Sequence, residues 1–314
     1  MVVIDSHVHV YLRKHYTENM IEGIADQYAI GLGLKREDIM KGALMQDMID
    51  GNPEKLIKEM DGAGIDKSVV FTVDWGKGFV PGLRVGAEID ECNKFVLDAV
   101  KKYPDRLVGF IAVDPRRKNA VETVERGLKE WGMKGIKFYP PTGFYPSDDA
   151  CTPVYRIALD YGVPVLSHTG PVSGPFYMKC THPMYIDEAA GKFPELQIIM
   201  AHAGWGAWLD EVIAILITRP NVYADISAWG QTSHYYDINY LVMSLRRLVN
   251  TAHSRILFGS DWGWAKSVLS QKDWVKFIRE YQVPDALKAI GIKNFTPKER
   301  SEILGENAKK LLKI

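Results

Sequence analysis

Apolar and polar positions alternate along this chain in two distinct rhythms, and the two rhythms take turns. Eight short runs rich in β-branched and apolar residues each end in a polar residue, Gly or Pro: "VVIDSHVHV", "DKSVVFTVDW", "DRLVGFIAVDP", "MKGIKFYPP", "VPVLSHTG", "LQIIMAHAG", "NVYADISAWG" and "RILFGSDWG". Their nearly continuous apolar character is what a parallel sheet covered on both faces requires. Between them the apolar residues recur at helical spacing. In "NPEKLIKEMDGAG", Asn52 is a candidate N-cap, Pro53 takes the first helical position, and Leu56, Ile57 and Met60 face the core before Gly62 and Gly64. In "IDECNKFVLDAVKKYPDR", Phe95, Val96, Ala99 and Val100 form one stripe, with Lys101 and Lys102 in the last turn.

Eight β/α units without a composition break predict a closed (β/α)8 barrel, read as one domain over residues 1–314. An open doubly wound sheet is the runner-up, but no glycine-rich phosphate fingerprint follows the first run. The first unit is irregular. Residues 11–51, with Met20, Met40, Met45 and Met48, form a helical insertion after the first strand. It reads either as an elaboration packed on the barrel or as a lid or subunit contact, because loops after barrel strands border the active site.

Composition narrows the class. At 314 residues with 46% hydrophobic content, the chain can build one large core. The 39 basic and 39 acidic residues cancel, which gives no reason to expect a nucleic-acid or acidic-membrane partner. Cys92, Cys151 and Cys180 are odd in number and widely spaced, so no disulfide framework is expected. No run approaches the length of a membrane span, and no charged leader precedes the first strand. A cytoplasmic protein acting on a small molecule is the expectation, and a homo-oligomer is compatible with it.

Barrel chemistry sits at the C-terminal ends of the strands. Those ends carry His7 and His9, Asp74 and Trp75, Asp114, Lys137, His168, His202, Asp225 with Trp229, and Asp261. Period-2 geometry places Asp5, His7 and His9 on one face of the first strand. His7, His9, His168 and Asp261 are the imidazole and carboxylate donors that a single divalent ion takes, and closure brings the last strand beside the first. Zinc is the expected ion, with manganese as the alternative. His202, as a fifth ligand, would crowd the open position, so it is assigned to proton transfer, and Asp261 is expected to share that work. Trp75, Tyr139, Trp205, Trp229, Trp262 and Trp264 all fall close to strand ends; Trp75, Tyr139, Trp229 and Trp262 are taken as candidate substrate contacts, alongside Lys137. His15, His182, His234 and His253 read as ordinary packing or surface residues.

The segments "IDSHVHV", "GIKFYPPTGFYPSD", "LSHTG", "FPELQIIMAHAGWGAW", "NVYADIS", "RILFGSDW" and "ENAKKLL" together resemble the amidohydrolase superfamily. The resemblance is to its amidohydrolase-2 branch, which includes relatives of amino-carboxymuconate-semialdehyde decarboxylase, and it covers nearly all of the chain outside the insertion. It implies a (β/α)8 barrel, usually one divalent metal, ligands at His7, His9, His168 and Asp261, and a catalytic imidazole at His202. Some branches carry a metal-bridging carbamylated lysine where Lys137 stands. In the single-metal branch that lysine is not a bridge, so Lys137 reads as a bridge, a substrate-binding charge or a structural ion pair. The favoured reaction is hydrolysis of a C–N or C–O bond by metal-activated water. Non-oxidative decarboxylation of an unsaturated or aromatic acid is the alternative; it wants a cation for the carboxylate, and Arg13, Arg84 and Arg116 are nearby in sequence. A catalytically silent ligand-binding barrel is the remote third reading.

Overall fold

The computed structural model describes residues 1–230, 237–264 and 269–314. His234 lies outside the described residues. Nine parallel strands are present among them: β1 (Ile4–His9), β2 (Lys67–Phe71), β3 (Leu107–Gly109), β4 (Ile111–Ala112), β5 (Ile136–Phe138), β6 (Val165–His168), β7 (Ile198–Ala201), β8 (Val222–Asp225) and β9 (Ile256–Leu257). They pair in chain order as β1-β2-β3 and as β4 through β9. β3 and β4 are two halves of one stave, split at Phe110. The Phe110 amide donates back to Val70, and the Ile111 amide donates forward to Gly135. That makes eight staves, one for each apolar run.

The last stave returns to the first. Ser6 N–H donates to Phe258 O at 2.9 Å, Asp261 N–H to His7 O at 2.9 Å, and His9 N–H to Trp262 O at 3.0 Å. These bonds close the ring. The barrel predicted from the sequence is the fold observed.

Side chains divide between two layers with the period of a strand. Ile4, Val69, Phe71, Phe110, Leu166, Ile199 and Leu257 form the inner layer, sealed by Ala308, Leu311 and Leu312 of the helix Asn307–Leu312. Val8, Val70, Ile136, Phe138, Val165, Ile198, Met200 and Phe258 pack outward against the helices. Lys137, between outward Ile136 and Phe138, therefore points into the barrel, and His168 follows inward Leu166.

β1 breaks this alternation once. Asp5 pairs with Ser68, but Val8 pairs with Val70, so one extra residue is accommodated between them. Without that slip, His7 and His9 would share the face of Asp5, as the sequence predicted. Instead Asp5 is turned away from them and accepts from Ser260 N–H and the Gln271 amide, both at 2.9 Å. The expectation that Asp5 projects with the histidine pair is overturned by this bulge.

The insertion contains three α-helices, α1 (Glu18–Leu32), α2 (Arg36–Lys41) and α3 (Ala43–Met48). A Tyr11–Gly51 bridge ties its base. Ile21, Ala25 and Ala29 of α1 are buried in one cluster with Trp75, Tyr139 and Phe176, at the strand-end face of the barrel. α4 (Pro53–Ala63) follows as predicted: Asn52 accepts from Glu54 N–H at 2.8 Å, and Gly64 ends the helix at φ 68°. Among the described residues, no helix is long and apolar enough to cross a membrane.

Candidate metal centre and active site

Asp225, at the end of β8, organises the cluster. One of its oxygens accepts the Nδ1–H of His7 at 2.9 Å. The other accepts backbone N–H groups of His202 and Ser227, each at 3.0 Å, and the Ser227 hydroxyl. An ionised carboxylate only accepts, so these bonds fix protons elsewhere. His7 carries its proton on Nδ1, leaving the Nε2 lone pair free. The Ser227 hydroxyl spends its proton on Asp225, so it accepts from His202 Nδ1–H at 2.9 Å. His202 Nε2 is then a lone pair too, and it accepts from His168 Nδ1–H at 3.2 Å. The far nitrogen of His168, Nε2, is buried with no hydrogen-bond partner.

The free lone pairs converge. His7 Nε2 and His9 Nε2 are 3.3 Å apart, and Asp261 Oδ1 stands 3.5 Å from the first and 3.2 Å from the second. Nitrogen and oxygen ligands bound at 2.0–2.1 Å in a tetrahedron lie about 3.3–3.4 Å apart. The donor triangle has that size. Asp261 Oδ1 is itself buried without a hydrogen-bond donor. His202 stands close enough to join, since donor atoms of His7, His202 and Asp261 lie within 4.8 Å of one another. The His7 Nε2 lone pair, with the His9 nitrogen and Asp261 oxygen beside it, forms a buried donor set that fits a cation.

Electrostatics point the same way. Burial, with Lys137 next, holds His7 and His9 well below the ordinary imidazole range; burial and then His202 do so for His168. Burial and His7 push His202 down to about 3. These rings are neutral, as metal ligands and bases must be. Burial raises Asp261 to about 6 and lowers Lys137 to about 8. His202 and Asp261 both adopt left-handed backbone, at φ 63° and 59°. Such strain in non-glycine residues collects at functional sites.

A cavity of about 180 Å³ opens over this cluster, bordered by His9, Lys137, His168, His202 and Asp261. Trp75, Tyr139, Trp205 and Trp264 line its walls, with Tyr139 set edge-on to Trp75. Trp229 and Trp262, expected among the substrate contacts, are not in the lining. Trp229 donates to His202 O at 2.6 Å from behind the site, and Trp262 reaches outward to Glu59 on α4. Trp229 stands beyond the last paired residue of β8, where alternation no longer dictates direction, whereas Trp262 is bridged to Val8 and shares its outward face.

Lys137 lies 4.7 Å from the Phe71 ring centre, and its Nζ has no hydrogen-bond partner. The structure thus makes it neither an ion pair nor a surface charge. The nearby arginines are engaged elsewhere: Arg13 with Glu18, Arg84 with Glu22, and Arg116 with Asp114. Asp74 is held by both ends of the Arg117 guanidinium. His15, His182 and His253 lie away from the cluster, His15 accepting from Leu12 N–H, His182 from Met184 N–H, and His253 pairing with Glu302. Ser227 gave no signal in the sequence, and Asp225 only its strand-end position.

A closed α/β barrel with a buried histidine–carboxylate cluster at its strand ends is the architecture of an enzyme. Residues 4–314 match the amidohydrolase family Amidohydro_2, and the chain belongs to that family. Comparison with curated protein sequences finds no match. Among solved structures, an uncharacterised TIM-barrel protein from Bordetella bronchiseptica is similar at 22% identity and a TM-score of 0.68, over 100% of this chain and 99% of that one. A 5-carboxyvanillate decarboxylase from Sphingomonas paucimobilis is similar at 14% identity and a TM-score of 0.65, over 100% and 99%. A dihydroxybenzoic acid decarboxylase from Polaromonas sp. JS666, with bound manganese and the inhibitor 2-nitroresorcinol, is similar at 18% identity and a TM-score of 0.65, over 99% and 97%. These likenesses establish the fold.

Proposed function

We propose that the protein is a metal-dependent, non-oxidative decarboxylase of a small aromatic or unsaturated acid. The observation that carries this reading is Lys137, a buried ammonium without a hydrogen-bond partner in a largely apolar cavity beside the donor cluster. Such a charge calls for an anion, and a planar carboxylate completes it. The decarboxylases among similar folds support the same choice, and one of those structures holds manganese. Hydrolysis, favoured from the sequence, has no such support beyond the family it shares.

In this reading His7, His9, His168 and Asp261 hold one divalent ion, zinc or manganese. The ion supplies positive charge that stabilises the anion developing on the substrate. Lys137 pairs with the substrate carboxylate, and Trp75 and Tyr139 hold the plane of the acid. As the C–C bond to the carboxylate breaks, its electron pair stays on carbon, carbon takes a proton, and carbon dioxide leaves. Asp261, through the oxygen not turned to the ion, is the group placed to hand carbon this proton. His202 borders the same cavity and would relay a replacement proton, taken from solvent, to Asp261. The chain acts as one unit over 1–314, with residues 11–51 covering the site.

The test is a substrate panel given to metal-loaded protein, with carbon dioxide release followed beside product formation. Stoichiometric carbon dioxide from an aromatic or muconate-type acid is the expected result. Turnover of lactones or amides, with no carbon dioxide from any acid, would replace this reading with hydrolysis.

A further inference from the structure

The cavity has a floor and a roof of opposite chemistry. Lys137, His168 and Asp261 stand at the floor, while the insertion supplies Met20, Ile24 and Met48 above. Met20 and Ile24 are four residues apart on α1 and so share one face of it. Their neighbours Ile21 and Ala25 are fully buried against the barrel, which fixes the rotation of the helix. Gln27 Nε2 donates to Ser173 Oγ at 2.5 Å, tying α1 to the loop after β6. At Gly23 an added Cβ would lie 3.3 Å from Gly174 N, so helix and loop pack backbone to backbone.

Among the described residues, Lys137 is the only lysine or arginine in the cavity lining, and Asp261 the only carboxylate. One anionic group of a substrate therefore finds a partner at the floor. A second, at the opposite end, meets Met20, Ile24 and Met48, beside Tyr28 and a Gln27 amide already bonded to Ser173, and no cation among the described residues. Burying an unpaired charge there is costly. We infer that the insertion makes this enzyme selective for monocarboxylates with an apolar far end, and that Ile24 is a specificity-determining residue. This inference rests on the acid-substrate reading above and adds which acids fit.

Isothermal titration of the metal-loaded protein with 4-methylbenzoate and with terephthalate tests it, because the two share a ring and differ at the distal group. The expected result is at least tenfold tighter binding of 4-methylbenzoate. Ile24→Lys, at a half-buried helical position, should reverse the order by giving the second carboxylate a partner; Met20→Lys, one turn earlier, repeats the test should the first variant fail to fold. Terephthalate binding as well as or better than 4-methylbenzoate in the unaltered protein overturns the inference while leaving acid binding intact. So does an order that neither lysine variant changes. Binding of neutral 4-methylbenzamide, with neither acid bound, overturns the acid reading and this inference together.

Discussion

Asp225 accepts the Nδ1–H of His7 at 2.9 Å, and that bond decides which nitrogen of His7 faces the donor cluster. The same carboxylate, through Ser227, decides it for His202. Outer carboxylates of this kind orient ligating imidazoles and raise their basicity. Asp225→Asn offers an amide that donates as well as accepts, so the ring of His7 is no longer held in one tautomer. Metal affinity should fall by about 10–100-fold with the barrel still folded. A chelator-competition titration measures it; unaltered affinity would mean that Asp225 is a packing residue.

The division of labour between His168 and His202 is open to direct measurement. The proposed ligand variant, His168→Ala, should lose metal and activity together, starting from one ion per chain. His202→Ala should keep near-normal metal content and lose kcat by about 10²–10⁴-fold. The two rings touch, at 3.2 Å between nitrogens, so the contrast is a demanding one. Equal metal loss in both variants would move His202 into the ligand set, where its distance to His7 and Asp261 already allows it.

Lys137→Met keeps most of the length of the side chain and removes its charge. Acid binding should weaken by about 100-fold, the scale of one charge-assisted hydrogen bond in a buried site. In the unaltered protein the ammonium is present below its pKa of about 8 and neutralised above it. Acid affinity should therefore fall as pH rises through 8, and the Met variant should show no such fall. A variant that binds acids normally would return Lys137 to a structural role.

Far from the site, Arg246 makes a two-pronged contact with Glu299 at 2.6 and 2.9 Å. The guanidinium holds the Glu299 carboxyl down to about 2. A depressed carboxylate pKa contributes stability that is present above its unfolded value of about 4.3 and is lost as pH falls towards the folded value. Glu299→Gln should thus cost about 1–2 kcal/mol at pH 7, less than the full linkage value because part of the carboxylate faces water. The cost should shrink towards zero near pH 2. Denaturant melts at the two pH values check this, and a pH-independent cost would assign the effect to packing.

Much of this architecture is legible in the residues. Each of the eight apolar runs becomes a stave; His9, Lys137, His168, His202 and Asp261 border one cavity, and His7 is buried against His9 and Asp261. The bulge in β1 is not legible, because a one-residue slip has no composition of its own and is decided by pairing with β2 and the last stave. Trp229 lies outside the cavity lining for a related reason, since beyond the last paired residue side-chain direction follows loop torsions; Trp262 does so because the last stave pairs it with outward-facing Val8. The roof of the cavity belongs to the same class. Its chemistry is written in Met20 and Ile24, but its position depends on how α1 docks on Trp75 and Phe176.

Closure of the ring has a kinetic meaning as well. Ser6 and Phe258 are bonded across 252 residues of chain, and the donor triangle joins His7 and His9 to Asp261 over a comparable span. Contacts of such separation cost chain entropy and form late, after local β/α units have condensed. In the proposed metal-bound enzyme, an ion would not nucleate this fold, since its proposed ligands are scattered until the final stave docks. It would act instead as a latch set after assembly, lowering the rate at which the first and last staves part rather than raising the rate at which they meet.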